Sequence, residues 1–196
     1  MRNPIHKRLE KFESWQHITF MACLCERMYP NFQLFCQMTQ QPQHAGLYRN
    51  ILNLVWEYLT VKGANINFEN QLEKLEPIIP DVNDYAFYGV VPALDACEGL
   101  AELLHAIIAG TTAEQAVKLS RLSLQTLIGV LETQAEREFS AQELKENQQI
   151  EEELDVQWQI YRSLNECEER DVALILALKN ELRAVGISNI GIEIER

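Results

Sequence analysis

Apolar residues recur at intervals of three and four through nearly the whole chain, the signature of amphipathic helices rather than of strands. Pro4 behind Asn3 opens a short helix over 4–12. Ser14 caps a second helix over 15–29, and Pro30 restarts the chain into a shorter helix over 30–39. In the second helix Trp15, Ile18, Met21, Ala22, Leu24, Cys25, Met28 and Tyr29 fill about half the circumference at 100° per residue, the pattern of a central helix. The polar stretch QQPQHAG reads as a turn leading to a helix over 47–61, with Gly63 as its C-terminal stop. Asn67 caps a short helix ending near 77, and PIIPDVNDY is a loop. A helix over 87–109 follows, ended by Gly110. Thr112 with Gln115 predicts a capping box for a helix over 113–139, and Ser140 with Glu143 predicts another for a short turn.

The helix over 113–139 carries a stripe of Val117, Leu124, Leu127, Ile128 and Leu131, and a second on its back (Leu119, Leu122, Val130). Both sides need cover, from the core or from a partner chain. From 148 to 185 the helical pattern runs without Gly or Pro until Gly186. Straight, such a helix spans about 55 Å at 1.5 Å per residue, so it bends, breaks or projects. The closing residues 190–195 alternate with period two and have one modest strand partner at 64–68. The pattern therefore predicts an all-α, single-domain multi-helix bundle over 1–196, with a long C-terminal helix and a short extended tail over 186–196.

Composition narrows the function classes. The chain has 196 residues, 47% hydrophobic, with 8 Gly and 6 Pro, which suits one domain with a packed core. A formal charge of −12 repels phosphate backbones and anionic surfaces, so neither nucleic acid nor membrane is an expected partner. No apolar run approaches the ~20 residues of a spanning helix, and the amino terminus lacks the pattern of a secretory signal. Five cysteines at 23, 25, 36, 97 and 167 fall among apolar helix positions. They read as reduced core thiols of a cytoplasmic protein. Cys23 and Cys25, two apart on one helix, point about 200° away from each other and form no pair.

No phosphate-binding loop, dinucleotide fingerprint, HExxH, nucleophile elbow or paired CxxC is present. Three polar groups nonetheless fall on apolar faces. His17 shares an angle with Leu24 and Met28. Glu98, Glu102 and His105 edge the stripe of the 87–109 helix, and Glu102-Leu-Leu-His105 has the Glu-x-x-His spacing of metal-binding bundles, though only one copy occurs. Glu168 takes a place between Leu164 and Val172 where an apolar residue belongs. Together His17, Glu98, Glu102, His105 and Glu168 form a candidate buried polar cluster. It reads as a core network of hydrogen bonds or as a general acid/base or metal site. No cofactor and no metal is assigned.

The segments ESWQHITFMACLCERMYPN, ELLHAIIAG, ECEERD and SNIGIEIE together resemble the YjaG-like family of bacterial proteins, over nearly the whole chain. The resemblance implies a small cytosolic all-helical protein from a family described as a domain of unknown function. It brings no activity, cofactor or catalytic residue. The residues leave function unknown and enzyme status open between two classes. One is a non-catalytic cytoplasmic helical protein acting through a protein partner or as a homo-oligomer, a homodimer in its simplest form. The other is an enzyme or a ligand- or metal-binding bundle built on the Glu/His cluster.

Overall fold

Six consecutive residues, Phe20 to Cys25, have no solvent exposure at all, so the helix that carries them is enclosed around its full circumference. This is α2, Ser14–Met38, in a computed structural model that describes residues 3–193. The other helices among the described residues are α1 Ile5–Leu9, α3 Pro42–Thr60, α4 Phe68–Leu75, α5 Val90–Ala109, α6 Ala113–Ala135, α7 Ala141–Glu146, α8 Gln148–Asn165 and α9 Val172–Val185. Around α2 stand α3, α5, α6, α8 and α9, while α4 lies on α5 and α1 on α6 and α8. The architecture is all-α, with one large core on α2 and a smaller cluster of Leu124, Leu127, Leu131 and Ile150 between α6 and α8. Four of the five cysteines are buried and all five are free thiols. Burial pushes the Cys36 thiol up to about 11.

The ends of the elements follow local chemistry. Asn3 accepts a hydrogen bond from the Ile5 amide at 3.1 Å, Asn67 from the Asn70 amide at 2.9 Å, and Ser140 and Glu143 close their capping box. Gly110 and Gly186 end α5 and α9 in the left-handed region, at φ of +67° and +66°, where a side chain is strained. Other expectations fail for physical reasons. Pro30 does not restart the chain. An interior proline costs roughly 3 kcal/mol, but the stripe beyond it, Phe32, Phe35 and Cys36, is buried, and α2 continues to Met38. Glu13, not Ser14, is the cap of α2, and its amide donates to Gln16 Oε1 at 2.8 Å. Pro42 is a helix opener at the first turn of α3, so of the polar stretch read as a turn Gln40 and Gln41 make the turn and residues 42–46 are helical.

The long helix over 148–185 is two helices, and the expectation of a long C-terminal helix is corrected. Six residues, 166–171, separate α8 from α9, and Asp171 accepts from the amides of Ala173 and Leu174 at 2.8 and 3.1 Å. Of bending, breaking and projecting, the chain breaks. Among the described residues, 190–193 do not pair with 64–68. Ser188 donates its amide to Ile192 at 2.9 Å, and Ile187 and Glu193 share a single antiparallel bridge, so the tail turns back on itself. Residues 194–196 of the expected tail lie outside the described residues. Helix α6 packs on α2 and α5 and on α1 and α8, which buries Leu119, Leu124, Leu127 and Leu131 and leaves Val117, Leu122, Ile128 and Val130 half-buried.

Candidate functional site

The five nominated residues do not converge. His17 is buried, with Nε2 donating to the Leu9 carbonyl at 2.7 Å. That leaves Nδ1 bare to accept the Thr112 hydroxyl at 2.9 Å. Thr112 begins α6, but its hydroxyl serves the histidine instead of capping the helix. Burial holds the His17 imidazole below its usual pKa, partly opposed by the bond to Leu9. Glu98, Glu102 and His105 lie elsewhere, along an open groove of about 480 Å³ between α5 and α6 that also touches Lys118 and Arg121. Glu98 and His105 are exposed and Glu102 is half-buried, so none of the three is a core group. Glu102 faces Lys118 at 3.9 Å, an exposed pair of little energetic weight. Burial and the neighbouring charges of Asp95 and Glu102 raise the Glu98 carboxyl. Glu168 is exposed on the segment between α8 and α9. Its apparent inward position assumed one continuous helix, and the break at 166–171 removes that geometry. Among the described residues no three His, Cys, Asp or Glu side chains are placed to hold one metal ion.

Two buried carboxylates, Glu26 and Glu153, neither of them among the five, are polar centres of the core. Glu26 Oε1 accepts from Trp56 Nε1 at 2.7 Å and from Arg183 at 2.9 and 2.6 Å, and Oε2 accepts from Arg49 at 2.5 Å. The Arg49 guanidinium also lies 3.8 Å from the centre of the Tyr29 ring, a cation–π contact. Glu153 Oε2 accepts from Arg27 at 3.1 and 2.7 Å, and Oε1 from the Ser123 hydroxyl at 2.8 Å and Gln157 Nε2 at 3.3 Å. Two signals could have found them. A helix enclosed on every side buries its polar residues too, Glu26 included. Glu153 stands three residues after Ile150 and four before Gln157, on the inward stripe of α8. Every carboxylate oxygen here has a partner, which is the arrangement of a structural clamp.

An open hollow of about 680 Å³ beside His17 is lined by polar groups, Glu13, Ser14, Thr112 and Arg170, as well as by Trp15 and Tyr58, whereas a smaller one is almost wholly apolar. A pocket of about 220 Å³ opens between the end of α2, the start of α5, the end of α6 and the tail. Leu34, Phe35, Met38, Phe87, Tyr88 and Val130 line most of it. Leu34, Met38 and Tyr88 are exposed at its rim, Met38 to 59%. Tyr88 lies close against α6: a Cβ on Gly129 would stand 2.8 Å from its hydroxyl and push the tip of the ring aside. The inner wall includes Asn31, buried to 2% exposure. Its Nδ2 donates to Asn189 Oδ1 at 2.9 Å, while its Oδ1 is buried without a partner.

The chain is 69% identical over 193 residues to a protein of Haemophilus influenzae called "Uncharacterized protein", covering 98% of each. It is 56% identical over 192 residues to "Uncharacterized protein YjaG" of Escherichia coli, covering 98% of this chain and 97% of that one. It superposes on the crystal structure of a DUF416 family protein from Shewanella baltica with a TM-score of 0.90, at 29% identity, covering 98% of this chain and all of that one. Residues 4–193 match the family model described as "Protein of unknown function (DUF416)", and the chain belongs to that family.

Proposed function

We propose that the chain is a non-catalytic helical protein that works by contact, and that the apolar pocket beside Asn31 is where it does so. One observation carries this reading. The pocket joins a concave apolar wall to an exposed rim of Leu34, Met38 and Tyr88, a combination that marks binding sites. The groups suited to chemistry support it from the other side, since both nitrogens of His17 and all four oxygens of Glu26 and Glu153 are engaged in holding helices together. Free thiols and a net charge of −12 suit a reducing compartment without nucleic acid, and the cytoplasm is the compartment we place it in. A homodimer closing over the same rim is the second reading, favoured by the exposure of Met38.

Titration with an environment-sensitive apolar dye, followed by fluorescence and light scattering on one sample, tests both. The expected result is one dye per chain, with binding lost when Val130→Trp fills the pocket. Dye binding indifferent to Val130→Trp sinks the pocket reading. A mass of 22.6 kDa at tens of micromolar ends the homodimer.

A further inference from the structure

We infer that the outer face of the α5–α6 pair docks a second copy of this chain, the acidic wall that α5 lends to its groove pairing with the basic wall of α6 in the partner copy. This face is separate from the apolar pocket and does not depend on it. The groove on it has two walls of opposite charge that the chain does not neutralise internally.

Helices α5 and α6 are joined by residues 110–112 alone and run antiparallel. The groove of about 480 Å³ between them has Glu98 and Glu102 on its α5 wall and Lys118 and Arg121 on its α6 wall. His105 stands further along α5, and Ala101, Leu119 and Leu122, all buried or half-buried, supply the apolar part of the lining. Two contacts fix which residues stand level. Thr126 donates to Asp95 Oδ2 at 2.6 Å, and Glu102 faces Lys118 at 3.9 Å. Glu98 lies between these two levels on α5, and Arg121 lies between them on α6.

Within one chain the walls stay apart. Among the described residues neither Glu98 nor Arg121 is in a salt bridge, and the one contact across the groove, Glu102 with Lys118, is long and exposed. Glu98 bears the consequence, since burial raises its carboxyl and the charges of Asp95 and Glu102 raise it further.

A two-fold axis parallel to the two helices lays α5 of one copy over α6 of the other without changing any level. Glu102 then stands at the height of Lys118 of the second copy, and Glu98 near the height of its Arg121. The same pairs recur on the other side of the axis, which is the self-complementarity that a closed dimer requires. Ala101 and Leu122 lie along the middle of the contact, where they lose water. The net charge of −12 opposes a second copy at long range, and the matched walls offset that repulsion at contact. A helix from another protein would need a basic edge and an acidic edge at the same spacing, whereas this chain already carries both.

Light scattering and sedimentation of the full chain over a concentration series measure the association. We expect the mass to rise from that of one chain to that of two. Glu98→Lys with Glu102→Lys makes both walls basic, and Lys118→Glu with Arg121→Glu makes both acidic. Each variant alone should weaken the dimer at least about tenfold, and an equal mixture of the two should restore it to within about threefold of the wild type. A wild-type chain that stays single at every concentration overturns the inference. So do variants that dimerise as well as the wild type, and so does a mixture that fails to associate. Dimerisation lost in Met38→Glu but untouched by either wall reversal places the contact at the pocket rim and overturns it as well. The pocket reading is judged separately, by the dye and Val130→Trp, and stands or falls without this dimer. Should a double reversal not fold by circular dichroism, the single exposed changes Glu98→Lys and Arg121→Glu carry the same mixing test.

Discussion

Glu26 shows how a single residue can organise a helical core. Its carboxylate is met by Arg49 and Trp56 from α3 and Arg183 from α9, so two helices close on one side chain of α2. Arg183 also donates to Asn53 at 2.7 Å, which fixes the guanidinium on both sides. Removing the carboxylate leaves a buried indole N–H and two partly exposed guanidinium groups without their acceptor. Breaking such a group from one side typically costs ~3–5 kcal/mol. Glu26→Ala should lose stability on that scale in urea denaturation, while Glu26→Gln keeps an acceptor for Trp56 and loses clearly less. Equal losses in the two variants would show that shape rather than hydrogen bonding matters at this position. Periodicity points to Glu168 instead, because a carboxylate between Leu164 and Val172 interrupts an apolar stripe. At Glu26 the helix has no polar face, so a stripe gives no contrast. At Asn31 the group became visible only once its partner, 158 residues away in sequence, was in place. His17 was legible because an imidazole in a narrow apolar arc stands out, but its partner Thr112 was hidden by its plausible role as a cap.

At the scale of the element, most starts and stops were legible and most errors concerned continuity. Gly110, Gly186, Asn67 and the Ser140–Glu143 pair act locally, within four residues, and local signals survive folding. Whether a helix runs through Pro30 or breaks at 166–171 depends on what lies against it, which periodicity does not contain. The second break did leave a trace, because Asp171 directly precedes the apolar run that opens α9 and has the chemistry of a cap. The consequences can be separated experimentally. Asp171→Ala removes two bonds to the first turn of α9 and should cost about 0.5–2 kcal/mol. Glu168→Ala, three residues earlier and exposed, should change stability by no more than about 0.5 kcal/mol. Urea denaturation of the two variants side by side checks this. A larger loss for Glu168→Ala than for Asp171→Ala would restore the continuous helix and its buried carboxylate.

For the whole molecule the decisive variable is pH, because one half-buried and one buried histidine tie together helices far apart in sequence. His6 on α1 contacts the Ser120 hydroxyl at 3.2 Å, and that hydroxyl donates to Gln157 Oε1 at 2.7 Å, so α1, α6 and α8 meet on one neutral imidazole. His17 likewise joins α2 to the end of α1 and the start of α6. Both imidazoles titrate below the usual 6.5, His6 through burial and the charge of Arg121, His17 through burial. The unfolded chain therefore binds these protons first. Their effect on stability is absent above pH 6.5, grows as pH falls from 6.5 toward each folded pKa, and levels off below it. Each contributes a slope of at most about 1.4 kcal/mol per pH unit. Asp95 and Glu98 act with the opposite sign, since their carboxyls are raised in the folded chain, chiefly by burial. Their ionisation disfavours the fold as pH rises through the raised values, so protonating them on acidification opposes the histidine loss. Charging four histidines also reduces a net charge of −12, which eases self-repulsion in the same favourable direction. Between pH 7.5 and 5.5 few ordinary carboxylates titrate, so His6 and His17 dominate. The urea midpoint should fall over that interval, and His6→Asn should flatten the fall by removing one of the two groups. A midpoint that stays level or rises from pH 7.5 to 5.5 would mean that the imidazoles charge without disturbing the junctions they make, and that repulsion among the acidic groups outweighs them.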